Sequence, residues 1–274
     1  MTIHFNSILW RLPMCKDCGC STATHPLFPG SQQKLKISGT IKSTRKISIE
    51  ESLFQKNQNN ASENRQFFAT EKLKVINVMS SPGSGKTTLL SKLLGEMKEH
   101  YSLAVLVGDQ ETTIDADRYA KQGVLAKQIN THAACHLDAK RIRENLVDLP
   151  NHLQLLVIEN VGNLVCPAVF DLGEELKIAL LSTPEGEEKP LKYPVLFHDA
   201  DVIVLSKCDL IEVLNYDLDL VTKNIRSLNP SAPLILCSTK SGLGISELKE
   251  TLEKSLSLKE NAYVPGHTSN AHIN

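Results

Sequence analysis

The chain has 274 residues, with 30 basic against 31 acidic side chains and a net charge of −1. That length suits one sizeable α/β domain with appendages, and the balanced charge, without a clustered basic stripe, argues against nucleic acid as a partner. The longest apolar runs have strand length, short of the ~20 residues a spanning helix requires, and residues 1–13 lack a signal-peptide core and cleavage site. A soluble, cytoplasmic protein with no membrane partner is expected.

The first chemical signal is Met14-Cys15-Lys16-Asp17-Cys18-Gly19-Cys20, which brings the thiols of Cys15, Cys18 and Cys20 within a few positions of one another. In a reducing compartment, close thiols read as metal or redox ligands rather than disulfides. No thioredoxin-like βαβ pattern surrounds Cys18 and Cys20, which counts against a redox switch. Residues 1–20 are therefore expected to be a metal-binding extension. Residues 21–70 are rich in Ser, Asn, Gln, Thr and Lys, show no sustained helical or strand period, and predict a flexible linker.

From Lys74 onward, apolar runs alternate with helix-length amphipathic stretches. The runs are Val75–Met79, Leu103–Val107, Val124–Ile129, Leu153–Ile158, Ile178–Leu181, Val202–Leu205 and Leu234–Cys237. Such alternation predicts an α/β domain over residues 71–258, a mostly parallel sheet with helices on both faces. Residues 259–274 turn polar and predict a disordered tail, with His267 and His272 incidental.

The first run leads into Ser80-Ser81-Pro82-Gly83-Ser84-Gly85-Lys86-Thr87-Thr88, a phosphate loop between a strand and a helix. Backbone N–H groups of Gly83, Ser84 and Gly85 can cradle phosphate oxygens at the helix amino terminus. Lys86 would reach the β- and γ-phosphates and Thr87 would ligate Mg²⁺. Ser80 stands where the motif usually has its first glycine. Asp109 after the second run and Asp115 in the following loop are candidates for contacts with Mg²⁺ or the attacking water.

Further along, Cys135-His136 is placed at the opening of a helix, and Leu155-Leu156-Val157-Ile158-Glu159-Asn160-Val161-Gly162 reads as a buried strand ending in a carboxylate and a glycine. In GTPases such a segment senses the γ-phosphate and holds Mg²⁺, usually with Asp where this chain has Glu159. Cys166 lies four residues beyond Gly162 on that same segment. Two thiolates and an imidazole from Cys135, His136 and Cys166 suit Zn²⁺ or Ni²⁺ and leave a position open for water or a second subunit. Ser206-Lys207-Cys208-Asp209 follows the sixth run and resembles the guanine-reading element of GTPases, in which the Asp209 carboxylate would accept two hydrogen bonds that adenine cannot supply. Ser238-Thr239-Lys240 resembles the loop that backs guanine O6, and GTP/GDP is the expected nucleotide.

With these residues in place, the chain resembles the HypB family of hydrogenase maturation GTPases, which insert nickel into [NiFe]-hydrogenase. The resemblance runs from residue 73 to about 255 through the phosphate loop, Gly108-Asp109, Asp115-Ala116-Asp117-Arg118, Cys135-His136-Leu137-Asp138-Ala139 and Glu159-Asn160-Val161-Gly162-Asn163-Leu164-Val165-Cys166-Pro167. It implies a P-loop NTPase fold, Mg²⁺-dependent GTP hydrolysis, and a tight nickel site at Cys15, Cys18 and Cys20. It also implies a second metal site at Cys135, His136 and Cys166 near a nucleotide- or metal-dependent homodimer interface, with exchange of nickel with a HypA-type nickel/zinc metallochaperone and delivery to the hydrogenase large subunit. Because relatives with the terminal motif begin at the methionine before it, Met14 is the expected start, which would leave the Cys15 amine as a fourth nickel donor. A urease-type nickel-insertion GTPase and a nickel buffer are the alternatives. The first is disfavoured by the absence of a Cys-Pro-His motif, the second by the intact Lys86, Thr87 and Asp209.

Overall fold

The computed structural model describes residues 42–109, 114–131 and 134–257, with side chains over 51–108, 115–131 and 134–257. Cys15, Cys18, Cys20, the expected start at Met14 and the expected tail lie outside the described residues. Among the described residues seven strands form one sheet: β1 (Lys74–Ser80), β2 (Leu103–Asp109), β3 (Leu125–Asn130), β4 (Leu155–Glu159), β5 (Leu176–Ser182), β6 (Val202–Ser206) and β7 (Leu234–Leu236). Their order is β3-β2-β4-β1-β5-β6-β7 and every pairing is parallel. Strands and helices alternate as expected, and the apolar runs match the strands to within two residues at either end. Because parallel strands all end on one edge, Ser80, Asp109, Glu159, Ser182 and Ser206 collect at the carboxyl edge, where open α/β sheets bind ligands.

The helices are α1 (Lys42–Thr70), α2 (Lys86–Met97), α3 (Ile114–Lys121), α4 (Ala139–Leu146), α5 (Cys166–Val169), α6 (Lys189–Lys192), α7 (Pro194–His198), α8 (Leu218–Leu228) and α9 (Ile245–Ser255). None of the described helices is long and apolar enough to cross a membrane. Alternate residues of each strand feed opposite faces, as a two-residue side-chain period requires. Ile76, Val105, Val157 and Ile178 pack with Leu89, Leu93 and Leu252 of α2 and α9. On the other face, Val75, Leu106 and Leu156 pack with Phe68 and Ile142 of α1 and α4, and Leu181 and Ile203 pack with Val221 and Ile225 of α8.

The expected linker over 21–70 is corrected by α1 from Lys42 to Thr70, and its residues 21–41 lie outside the described residues. From Leu53 the helix belongs to the same compact unit as the sheet, so the folded domain begins well before residue 71. Its inward face carries Asn57, Ala61, Asn64 and Phe68, all buried at helical spacing. Two of those four positions are amides, so the stripe has the right period but not the apolar character by which periodicity is recognised. The Cys135-His136 pair also sits differently from expectation. It lies in the loop before α4, which starts at Ala139 with Asp138 as its cap, the carboxylate accepting from the Arg141 N–H at 2.9 Å.

Gly173, just before β5, lies in close contact with α1. It has φ +89°, and a Cβ there would come within 2.7 Å of the Ala61 carbonyl oxygen and of Asn64 Cβ. Gly173→Ala is therefore expected to lower stability by about 2–3 kcal/mol, through backbone strain and overpacking together. Urea denaturation followed by circular dichroism measures the loss.

Candidate nucleotide and metal site

The loop between β1 and α2 is shaped by Gly83 and Gly85, at φ +73° and +91°, conformations in which a side chain is strained. Ser80 fills the place of the usual glycine with a use of its own, since the Ser84 hydroxyl donates to the Ser80 hydroxyl at 2.8 Å and braces the loop from within. A cleft of about 600 Å³ opens over the loop, lined by Gly83, Ser84, Gly85, Lys86, Thr87 and Thr88 together with Gly108, Asp115, Arg118, Gly162 and Lys207. The loop thus shares one cavity with residues from β2, from α3, from the exit of β4 and with Lys207.

Glu159 lies beneath this cleft, 1 % exposed. Its Oε1 accepts from Lys86 Nζ at 2.8 Å and from the Thr87 hydroxyl at 2.6 Å, and its Oε2 accepts from the Tyr119 hydroxyl. The hydroxyl of Thr87 and the carboxylate of Glu159 are hard oxygen donors converging at the phosphate loop, a donor set that suits Mg²⁺. Tyr119, on α3, escaped the sequence reading because a tyrosine in an amphipathic helix carries no motif. Burial and the Glu159 carboxylate beside it push its hydroxyl well above the ordinary tyrosine range, so it remains a proton donor. Asp115 occupies the first turn of α3, 3.5 Å from Arg118 at the cleft wall. Asp109 ends β2 on the same edge, and its side chain lies outside the described residues.

The end of β6 and the loop after it are tied to the phosphate loop by direct bonds. Lys207, in the left-handed conformation at φ +58°, donates from Nζ to the Gly83 carbonyl at 2.6 Å, and the Ser206 hydroxyl donates to the Ser84 carbonyl at 2.7 Å. The Asp209 carboxylate accepts from the Ser238 hydroxyl at 2.6 Å, a bond that holds its pKa below the usual range. Lys240 is exposed two residues beyond Ser238. The thiols of Cys208 and Cys237, beside these loops, are buried, and burial pushes them up to about 11 and about 12. They remain protonated at neutral pH, unlike metal-binding thiolates.

Cys135, His136 and Cys166 come together as the sequence predicts. Their donor atoms all lie within 4.8 Å of one another, with Cys135 Sγ 2.9 Å from Cys166 Sγ and 3.6 Å from His136 Nδ1. Two thiolates on one tetrahedral ion, at zinc–sulfur bonds of about 2.3 Å, stand roughly 3.8 Å apart, so the two thiols would separate by about an ångström to share a metal. The His136 ring stacks on Phe170 at 3.8 Å, and its burial lowers its pKa, favouring the neutral imidazole that binds metal.

Three contacts join this cluster to the nucleotide cleft. The buried Asn160, next to Glu159, accepts from the Leu137 N–H at 3.3 Å and from the Val161 N–H at 2.9 Å, and donates to Asn77 at 3.2 Å. Gly108 faces Leu137 so closely that a Cβ would lie 2.8 Å from Leu137 Cδ1, and Gly162 faces Pro82 of the phosphate loop, where a Cβ would lie 3.0 Å from the proline Cα.

Sheet order, phosphate loop and base loops together define a P-loop nucleotide-binding protein. Residues 74–236 match the family described as CobW/HypB/UreG, nucleotide-binding domain. The chain is 38% identical to the hydrogenase maturation factor HypB of Escherichia coli K12 over 285 residues, covering 88% of this chain and 98% of that protein, and 47% identical to HypB of Azotobacter chroococcum, covering 78% and 70%. The crystal structure of HypB from Helicobacter pylori in complex with nickel superposes with a TM-score of 0.70 at 42% identity, covering 78% of this chain and 99% of that one. The chain belongs to the HypB hydrogenase maturation factors.

Tyr119→Phe keeps the ring and deletes only the bond to Glu159. The nucleotide-free protein is expected to lose about 1–2 kcal/mol, the cost of a buried carboxylate oxygen deprived of a donor. Urea denaturation of the two proteins side by side measures it.

Proposed function

We propose that this protein is a GTP-hydrolysing nickel metallochaperone of the cytoplasm that delivers nickel during maturation of [NiFe]-hydrogenase. The observation that carries this reading is the continuity from Glu159 through Asn160 and Gly162 to Cys166, which puts a metal donor on the strand exit that lies under the phosphate loop. Nickel is the cargo, held by Cys135, His136 and Cys166, with Zn²⁺ as the competing occupant. Cys15, Cys18 and Cys20 form a separate, tighter nickel site.

Lys86 is held by Glu159. Incoming GTP draws Lys86 onto its β- and γ-phosphates, while the N–H groups of Gly83, Ser84 and Gly85 bind the same oxygens at the α2 amino terminus. Thr87 and Glu159 would hold Mg²⁺, which when bound neutralises charge on the phosphates. Asp209 reads the guanine edge, Ser238 orients Asp209, and Lys240 adds positive charge beside it. Asp115 at the cleft wall and Asp109 at the end of β2 orient the attacking water. Occupancy of the γ position shifts Gly162 against Pro82, and Asn160 transmits the shift to Leu137, altering the separation of Cys166 from Cys135 and His136. Metal affinity then depends on nucleotide state, and nucleotide affinity on metal by the same factor. The position left open by three donors is completed by water or by a second copy of the chain, giving a nucleotide- or metal-dependent homodimer. A HypA-type metallochaperone and the hydrogenase large subunit are the partners on either side of the transfer. A urease target is the second reading, because relatives from Helicobacter pylori, 43–44% identical to this chain, bear the name hydrogenase/urease maturation factor.

Nickel titrations of the full chain bearing Cys15→Ala, Cys18→Ala and Cys20→Ala test the coupling. Affinity is expected to differ at least about fivefold between GDP and a non-hydrolysable GTP analogue, the lower end of ordinary coupling energies. Equal affinities would sink it. Base recognition is tested separately with Asp209→Asn, which should move preference from guanine to xanthine nucleotides in competition binding. Lys86→Ala should abolish hydrolysis while leaving nickel binding by the terminal thiols intact.

A further inference from the structure

Asn57 and Asn64 lie seven residues apart on one face of α1, both buried. Asn57 accepts from the Ala139 N–H at 3.0 Å and donates to the Asp171 carbonyl at 2.8 Å. Asn64 donates to the Ala139 carbonyl at 2.8 Å and to the Leu172 carbonyl at 2.9 Å. Each amide therefore joins the same two segments, one continuing from Cys135 and His136, the other from Cys166. Beside them the Arg65 guanidinium grips both Asp171 oxygens at 2.9 Å. A second line of contact runs through rings, with Phe54 of α1 against Phe170 at 4.9 Å between centroids and Phe170 against His136 at 3.8 Å.

An aliphatic face would hold α1 to the sheet as firmly, because apolar burial is non-directional. Directional bonds from one helix to both donor-bearing segments do something more, since they fix the separation of those segments. We propose that α1 is a clasp for the metal centre. Asn57 and Asn64 are positioning residues that set the Cys135/His136 loop against the Cys166 segment, and Phe170, backed by Phe54, holds the plane of the His136 ring. Nickel binding and closure of α1 on the domain favour one another, because a ligand that binds only the closed form stabilises it. The clasp rests on the reading of Cys135, His136 and Cys166 as nickel donors.

The test uses the full chain with Cys15→Ala, Cys18→Ala and Cys20→Ala, so that nickel–thiolate charge-transfer absorption reports the domain site alone, with GDP present throughout. Asn57→Ala combined with Asn64→Ala is expected to weaken nickel binding at least about tenfold, the lower end of the effect of outer partners on a metal site, with GDP affinity held within about twofold. Phe170→Leu is expected to weaken nickel binding and Phe170→Tyr, which keeps the stacked ring, to preserve it. Amide exchange over residues 53–64 should slow when nickel is added. Wild-type nickel affinity in the folded double variant overturns the clasp, and if that variant does not fold, wild-type affinity in Phe170→Leu overturns it. Cys166→Ser separates the two readings. Undiminished nickel binding there removes the site itself, whereas loss of nickel there with retention in the asparagine and phenylalanine variants removes only the clasp.

Discussion

A carboxylate buried at the carboxyl edge of the sheet must be met by donors, and in this protein those donors come from the phosphate loop. Glu159 has almost no contact with water, and an unpaired charge in such a place is too costly to persist. The register of β4 between β1 and β2, with Val78 on one side and Val107 on the other, leaves its side chain facing Lys86, Thr87 and Tyr119. The cation that must serve the nucleotide is thereby already engaged. On the proposed function, phosphate binding exchanges partners at Lys86 and alters the surroundings of the residue immediately before Asn160.

Position in the chain then decides what that exchange can move. Asn160 accepts from the backbone of Leu137, one residue beyond His136, and Gly162 packs on Pro82, four residues before Cys166. The phosphate loop is joined to the two halves of the metal cluster by separate routes, one through a hydrogen bond and one through the chain itself. Two routes that differ in kind are what the proposed coupling requires if the distance between the halves is to change. A rigid body carrying all three donors would move them together and leave their affinity for metal unchanged.

The sequence revealed the parts of this arrangement that have a fixed pattern. The strand runs, the phosphate loop, the Asp209 and Ser238 loops, and the pairing of Cys135 and His136 with Cys166 all follow from residue types at set spacings, and the structure brings each group together. Tyr119 and Asn77 have no such pattern, because their importance arises from partners 40 and 83 residues away in the chain. The α1 helix was hidden for a different reason. Composition rich in Asn, Gln and Ser is the mark of chains that cannot bury enough apolar surface to fold alone, and here the buried face of the helix is completed by backbone groups of Ala139, Asp171 and Leu172. A helix whose inner face needs tertiary carbonyls as partners is indistinguishable from a linker until those carbonyls are in place.

The same amides run through the interior well beyond α1. Asn160 bonds to Asn77, Asn77 donates to the buried Glu174 at 3.1 Å, and Glu174 accepts from the Leu172 N–H at 2.7 Å, next to the carbonyl that Asn64 holds. Burial raises the pKa of Glu174, the mark of a group whose charge the interior resists. An apolar core would avoid that penalty, and replacement of buried polar networks by well-packed hydrophobic residues is often neutral or stabilising. Apolar contacts, however, tolerate sliding and repacking, whereas a hydrogen bond weakens steeply as its angle departs from linear. Metal donors that must meet one ion need fixed separations, with errors of about half an ångström already harmful. Polar bonds through the interior fit a site whose two halves must be held in register while one half, on the proposed function, answers to the nucleotide.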